Sequence, residues 1–447
     1  MVKTFGTAGV RGVFNSTQTP EQVYRLAETI AFASGRGRYG VGWDGRKTSA
    51  LLARTVLAAV SAAGSDADVF GLVPTPVLAY GTRSRSCVAG FAVTASHNPP
   101  EFSGVKVFNR YGMELPKSDE ERIERAMAVE VMKAGGTFGE LVPDEEVIDD
   151  YVDAMTSRYP RAAQPLRVAV DCASGPGGLV TPLVMKALGH EVVPVNAQVS
   201  WRFPARPPEP TATNLVDFAA MVPTLGVDFG FAHDGDADRL VMVDAMGNVV
   251  PDSILNVLAL RGLGLANGTA VISENTSNAV ADEAEKLGLR VLRSCVGKTF
   301  AVLAAEGGVF AAEPSKIVDP KWGLWEDGIN ASALIATLLS SNRGLLGSVT
   351  QEVKWKYRQM NLRVPVRMDF LAAEAKESFR RLGIAEERTL DGLKLVLEDG
   401  SWVMFRPSGT EPITRLYCES RDVQVLDALV QLGTQCVESS RDTRIAA

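Results

Sequence analysis

Short apolar runs alternate with longer helical patterns three times along this 447-residue chain. Residues 39–43 read as a strand, 44–48 as a polar loop, 49–63 as a helix and 67–70 as a second strand. The same succession recurs at 166–170, 171–177, 178–188 and 190–195, and again at 270–273, 274–277, 278–287 and 289–293. Apolar runs of strand length between helical periodicities predict βαβ units with a largely parallel sheet in each. The repeat is one of pattern rather than identity. Such units are common, so it stands equally well without duplication.

Beyond residue 358 the pattern changes. An alternating run at 362–366 predicts a strand, 370–382 a helix, and 393–397 with 402–405 a hairpin around Glu398-Asp399-Gly400-Ser401. A last helical pattern covers 423–438. The expected class is therefore α/β: three similar units with mixed or parallel sheets, then an α+β unit with an antiparallel sheet. The expected divisions are 1–150, 151–251, 252–358 and 359–447, with 145–161 as a connecting helix ended near Pro160. Chain length agrees with about three or four domains.

Composition adds little except by exclusion. The chain is 46% hydrophobic and 22% charged, ordinary globular values. A net charge of −7 carries no footprint for nucleic acid. No run approaches the length of a membrane span, and the beginning of the chain lacks an apolar signal core. Five scattered cysteines, odd in number and without C-x-x-C, fit reduced thiols in a cytoplasmic protein. Homo-oligomer formation is left open by the sequence.

The chemistry lies in short polar loops between apolar runs. Asp234-Gly235-Asp236-Ala237-Asp238-Arg239 follows the apolar run 227–232 and precedes 240–243. Three carboxylates at alternate positions crowd like charges, which a cation relieves, and hard oxygen ligands suit Mg²⁺. An EF-hand fails: its sixth position would be Arg239 and its twelfth Ala245. Ser96 sits in Thr94-Ala95-Ser96-His97-Asn98-Pro99, where the prolines stiffen the turn and hold the hydroxyl out. With only three histidines and no G-x-S-x-G, no hydrolase triad is readable. Alone, Ser96 is a turn residue. Beside a metal loop it is a candidate phosphate carrier, with His97 next to it. A phosphoserine would give the metal a fourth oxygen and allow metal-assisted phosphoryl transfer.

Two further loops suit a phosphorylated small molecule. Arg406-Pro407-Ser408-Gly409-Thr410-Glu411-Pro412 combines a fixed cation, two hydroxyls and a glycine that frees backbone N–H groups to hold a phosphate. Glu411 and Arg415 add an acceptor for sugar hydroxyls and another cation. Glu313-Pro314-Ser315-Lys316 follows an apolar strand and leads into Trp322-Gly323-Leu324-Trp325, read as a flap over a sugar ring. Arg11, in the glycine-rich segment 6–12, and Lys106 are candidate cations for a transferring phosphate.

With those residues in place, the chain resembles the α-D-phosphohexomutase family along its whole length. Residues 5–12 are similar to the N-terminal signature of that family, the Ser96 loop to its phosphoserine loop and the Asp234–Arg239 loop to its metal loop. The Arg406–Pro412 loop is similar to its phosphate loop, and Pro208-Glu209-Pro210 to the linker before the metal loop. The resemblance implies four domains around a central cleft, and an intramolecular phosphotransferase acting on a small phosphosugar. It implies Mg²⁺ held by Asp234, Asp236, Asp238 and phosphorylated Ser96, and a hexose 1,6-bisphosphate activator. Arg406, Ser408, Gly409 and Thr410 would grip the spectator phosphate, and Glu313 and Ser315 would read sugar hydroxyls. Arg11, Lys106 and Arg239 would surround the reacting centre. The expected reaction exchanges hexose 1- and 6-phosphates, first as phosphomannomutase/phosphoglucomutase, with phosphoglucosamine mutase as the alternative. A metal-dependent phosphatase and a non-catalytic sugar-phosphate binder are the distant alternatives.

Two positions depart from the family pattern. Where many members read G-E-x-S-G-H, with a histidine proposed in proton transfer, this chain has Ala312-Glu313-Pro314-Ser315-Lys316-Ile317. Lys316 takes that place if burial and neighbouring cations depress its pKa, with Lys106 as the rival. The Glu-Pro-x-Lys form followed by Trp325-Glu326-Asp327-Gly328 resembles archaeal members. Lys298 stands where many members carry an acid.

Overall fold

A computed structural model describes residues 5–6, 9–128, 137–407 and 413–441. Its strands form four sheets. The first is mixed and six-stranded, in the order Val10–Val13, Phe102–Asn109, Ala89–Val93, Arg38–Trp43, Asp66–Leu72, Leu141–Pro143. The second runs Val249–Val250, Val241–Asp244, Phe229–Ala232, Arg167–Asp171, Glu191–Val195. The third runs Arg290–Ser294, Thr269–Ser273, Phe310–Glu313, Lys316–Val318. In each, the parallel core carries an antiparallel edge: Ala89–Val93 with Phe102–Asn109, Phe229–Ala232 with Val241–Asp244, and Phe310–Glu313 with Lys316–Val318. Those antiparallel connections are where the polar loops lie.

The fourth sheet is wholly antiparallel, in the order Lys356–Leu362, Thr414–Ser420, Trp402–Pro407, Leu393–Leu397, Ile384–Arg388. The strand expected at 362–366 falls instead at Lys356–Leu362. Pro365 has no N–H to give a ladder, and Val364 N–H turns back to the Leu362 carbonyl at 2.7 Å. Ile384–Arg388, an Ile-Ala-Glu-Glu-Arg edge strand, shows no apolar alternation and so gave no strand signal.

One hydrophobic core runs through the first three sheets. It joins Val77 and Phe108, the connecting helix Val147–Arg158 through Tyr151 and Met155, Val168 and Phe231, and Ile272 and Phe310. The C-terminal sheet keeps a separate core around Phe379, Leu395 and Phe405. The tryptophans read as a sugar flap belong to the shared core. Trp322 and Trp325 are 6% and 2% exposed, and Trp322 stacks on Tyr80. Their indole N–H groups donate to Asp327 Oδ2 at 2.8 and 3.2 Å. Tyr151 donates its hydroxyl to the same carboxylate, which also caps the helix Gly328–Ser341 by accepting from Asn330 N–H at 2.8 Å. Asp327→Ala orphans all these buried donors. It is expected to cost about 3–5 kcal/mol, read as a lower midpoint in thermal or urea unfolding, with Asp327→Asn losing less.

Candidate active site

The serine loop leaves the fully buried strand Ala89–Val93. Thr94 shapes the turn. Its hydroxyl accepts from Ser96 N–H at 2.8 Å and donates to Asp44 Oδ2 at 2.7 Å. Beneath the loop lies Arg46, buried, with Nε on Asp44 at 3.1 Å. Its Nη2 donates to the Ser96 and Asn98 carbonyls at 2.7 and 2.6 Å, and its Nη1 to those of Pro99 and Phe102 at 2.6 and 3.3 Å. Ser96 takes a positive φ of 49°, uncommon for a non-glycine residue. Its side chain is not held out to solvent, as the stiff turn suggested. It is buried and donates to Asp234 Oδ2 at 2.7 Å, with His97 Nδ1 at 3.3 Å.

The acidic loop faces it from the second sheet. Asp234, Asp236 and Asp238 each place a carboxylate oxygen within 4.8 Å of the others. The loop needs close backbone approach, since a Cβ on Gly235 would stand 2.5 Å from the Ser96 carbonyl oxygen. Ala237 has φ 61°. Arg206 braces the loop from below, on Asp171 Oδ2 at 2.8 Å and the His233 carbonyl at 2.6 Å. Thr75 crosses from the first unit to donate to Asp236 Oδ2 at 2.6 Å. Burial, with Asp238 and Asp236 nearby, pushes the Asp234 carboxyl well up. Burial also opposes ionisation of Asp238, but Lys106, Lys316 and Arg239 outweigh it and hold that group well down. Asp236 Oδ1 and Asp238 Oδ1 are buried without a hydrogen-bond partner. Convergent carboxylates with orphaned oxygens fit a hard divalent cation.

Cations surround these acids. Lys106 Nζ lies 2.6 Å from Asp238 Oδ2, 3.0 Å from Asp236 Oδ2 and 3.7 Å from Glu114 Oε1. Lys316 Nζ pairs with Glu326 and lies 3.4 Å from Asp238 Oδ2. Arg239 reaches Glu209 at 3.6 Å, and Arg11 donates to Asn98 Oδ1 at 3.1 Å. The depressed lysine expected at 316 is corrected here. Burial alone would lower it, but Asp238 and Glu326 hold it above the usual lysine range. Lys106 behaves the same way, burial being overcome by Asp236 and Asp238. Both stay ammonium ions, suited to neutralising a phosphate rather than to taking a proton. Burial pushes Glu326 up to about 7 although Lys316 pulls the other way. His97 is held well below the usual range by burial and by Arg239 and Arg11, so its imidazole is neutral.

The third and fourth sheets carry the remaining candidates. Glu313 Oε1 accepts from Gly297 N–H at 2.8 Å and from the Thr299 hydroxyl at 3.0 Å. Ser315 takes φ 60°, and its hydroxyl turns back to the Pro314 carbonyl at 2.7 Å. Arg406 stands directly opposite Arg415 on adjacent antiparallel strands, and its Nε donates to Asp391 Oδ2 at 2.9 Å. Ser408, Gly409, Thr410 and Glu411 lie outside the described residues. Sequence reasoning missed Asp44, Arg46, Thr75, Glu114, Arg206, Glu326 and Asp391. Of these, Asp44 and Arg46 had a signal, a polar pair directly after the apolar strand 39–43.

This frame of mixed α/β sheets, with a serine facing an acidic loop and ringed by cations, is that of a phosphomutase-class enzyme. The chain belongs to the phosphoglucomutase/phosphomannomutase family. Residues 2–132 and 149–247 match its alpha/beta/alpha domains I and II, and 360–432 match its C-terminal domain. It is 35% identical to a phosphopentomutase of Thermococcus kodakarensis over 98% of each chain. It is 33% identical to a probable phosphoglucosamine mutase of Pyrococcus abyssi, over 98% of this chain and 99% of that one. A solved phosphoglucomutase/phosphomannomutase family protein from Burkholderia thailandensis superimposes with a TM-score of 0.87 at 24% identity, covering 98% of this chain and 97% of that one. Among the described residues no helix is long and apolar enough to cross a membrane.

Proposed function

We propose that the enzyme interconverts hexose 1-phosphate and hexose 6-phosphate, with Ser96 as the phosphate carrier. The observation that carries this reading is the Ser96 hydroxyl set 2.7 Å from Asp234, inside a ring of acids and cations. A phosphoryl group passes from phosphorylated Ser96 Oγ to the free sugar hydroxyl, whose proton ends on the freed Ser96 oxygen, giving a bisphosphorylated sugar. The sugar turns over, and its other phosphate returns to Ser96 Oγ as the serine proton passes to the sugar oxygen left behind. Lys106, Lys316, Arg239 and Arg11 neutralise the group in flight. Glu313 reads a sugar hydroxyl, while Arg406 and Arg415 hold the phosphate that is not moving. Mg²⁺ is the ion proposed here; Asp234, Asp236, Asp238 and the Ser96 phosphate would hold it, and it would supply positive charge to the reacting centre.

Mannose or glucose phosphate is the proposed substrate. The 35% identical relative named phosphopentomutase supports a second reading, in which the sugar is a pentose. Relatives named probable phosphoglucosamine mutase support glucosamine phosphate as the alternative hexose. A coupled assay with Mg²⁺ and a trace of sugar bisphosphate, run on mannose, glucose, glucosamine and ribose phosphates, separates these. Turnover of a hexose 1-phosphate to its 6-phosphate is expected, with loss of activity in EDTA and recovery on adding Mg²⁺. Release of free phosphate instead would mark a phosphatase, and no turnover a binding protein.

A further inference from the structure

Residues 295–299 touch three parts of the molecule at once. Lys298 Nζ reaches Glu120 Oε1, on the helix Lys117–Met127 of the first unit, at 2.8 Å. Gly297, at φ 78°, gives its N–H to Glu313 of its own unit at 2.8 Å. The preceding N–H, that of Val296, donates to Asp391 Oδ2 of the C-terminal unit at 2.9 Å. That same oxygen accepts from Arg406 Nε at 2.9 Å. Alongside, Cys295 Sγ meets the Leu390 carbonyl at 3.3 Å.

We infer that Asp391 is a positioning residue that ties the phosphate-gripping arginine Arg406 to the loop orienting the sugar acceptor Glu313, an inference resting on the mutase reading above. Two successive N–H groups leave one turn in the described structure, one toward Asp391 and one toward Glu313. A shift of the first therefore re-aims the second. The Asp391 turn packs closely on the strand that carries Arg406: a Cβ on Gly392 would lie 2.2 Å from the Phe405 carbonyl oxygen. Close packing and the Arg406–Asp391 hydrogen bond tie the carboxylate to that strand. Arg406 and Arg415 face each other across the ladder, an arrangement of like charges that a neighbouring anion relieves. Asp391 supplies an anion to Arg406 and holds its guanidinium in place for a substrate phosphate. Phosphate capture on the C-terminal sheet and hydroxyl recognition on the third are in this way set by one carboxylate oxygen.

The test is a set of three variants, Asp391→Ala, Asp391→Asn and Asp391→Glu, compared with wild type. Each is titrated calorimetrically with glucose 6-phosphate, mannose 6-phosphate, glucosamine 6-phosphate and ribose 5-phosphate, and assayed for kcat and KM. Asp391→Ala is expected to weaken Kd and raise KM by about 10- to 100-fold, with a smaller change in kcat. Asp391→Asn, which keeps an acceptor for Val296 but no charge for Arg406, should fall between. Asp391→Glu should recover part of the loss. Unchanged Kd and KM in Asp391→Ala, or equal losses in all three confined to kcat, would overturn the inference. If wild type binds a sugar phosphate without turning it over, the mutase reading fails while the Kd comparison still decides the role of Asp391. Binding of none of the four by wild type would overturn both.

Discussion

Ser96→Ala is expected to lower kcat for sugar-phosphate interconversion by at least about 10³-fold, with substrate affinity changed only a few-fold. The Ser96 oxygen is the hydroxyl placed against the acidic loop, and the surrounding cations are positioned to serve a group attached to it. In the proposed reading substrate grip comes from elsewhere, from Glu313 and the Arg406–Arg415 pair, so Kd and kcat should separate. The substitution itself is mild. It removes one buried hydroxyl and leaves the Thr94 and Arg46 scaffold intact. A variant with native circular dichroism and full turnover would mean that phosphate reaches the sugar by another route.

Arg46 carries the second large effect, without touching substrate. Its guanidinium makes side-chain hydrogen bonds to Asp44, to three carbonyls of the serine loop and to that of Phe102, where the next strand begins. Arg46→Ala leaves those carbonyls unpaired and Asp44 buried without its cation, expected to cost about 3–5 kcal/mol of stability. Arg46→Lys keeps the charge but not the planar fork, and three donors cannot meet five directions. The lysine variant should stay folded at a lower unfolding midpoint. Its kcat should fall about 10²-fold, because a serine displaced by an ångström misses the transferring group. Wild-type kcat in Arg46→Lys would show that the loop holds its shape without this residue.

The contrast between these two residues explains what was legible in the chain. Ser96 and the three aspartates stood out because polar side chains interrupt apolar strands, and such interruptions mark the ends of sheet strands. The α/β class followed from the same alternation. Arg46 and Asp391 were missed because a charged residue in a turn reads as solvated unless its partners are known. Those partners lie about 50 residues away for Arg46 and 95 for the Asp391–Val296 contact. The protonation of Lys316 runs opposite to the depressed lysine expected there. Its own neighbours in sequence are apolar or neutral, and the acids that keep it charged come from Asp238 on another sheet and from Glu326. Trp322 and Trp325, beside Gly323, read in the sequence as a flap over a sugar ring. The acceptor that buries them, Asp327, was in plain view, but only folding shows Tyr151 arriving to share it.

The central claim is that phosphate travels through Ser96. Its most direct test is the mass of the peptide carrying Ser96 after the enzyme is treated with Mg²⁺ and glucose 1,6-bisphosphate whose phosphates carry heavy oxygen, then chased with unlabelled glucose 1-phosphate. The account predicts one heavy phosphate on Ser96 that passes to the sugar during the chase and is replaced there by a light one. An unphosphorylated Ser96 in an enzyme that still interconverts the sugar phosphates, or a heavy phosphate that stays on Ser96 throughout turnover, would contradict it.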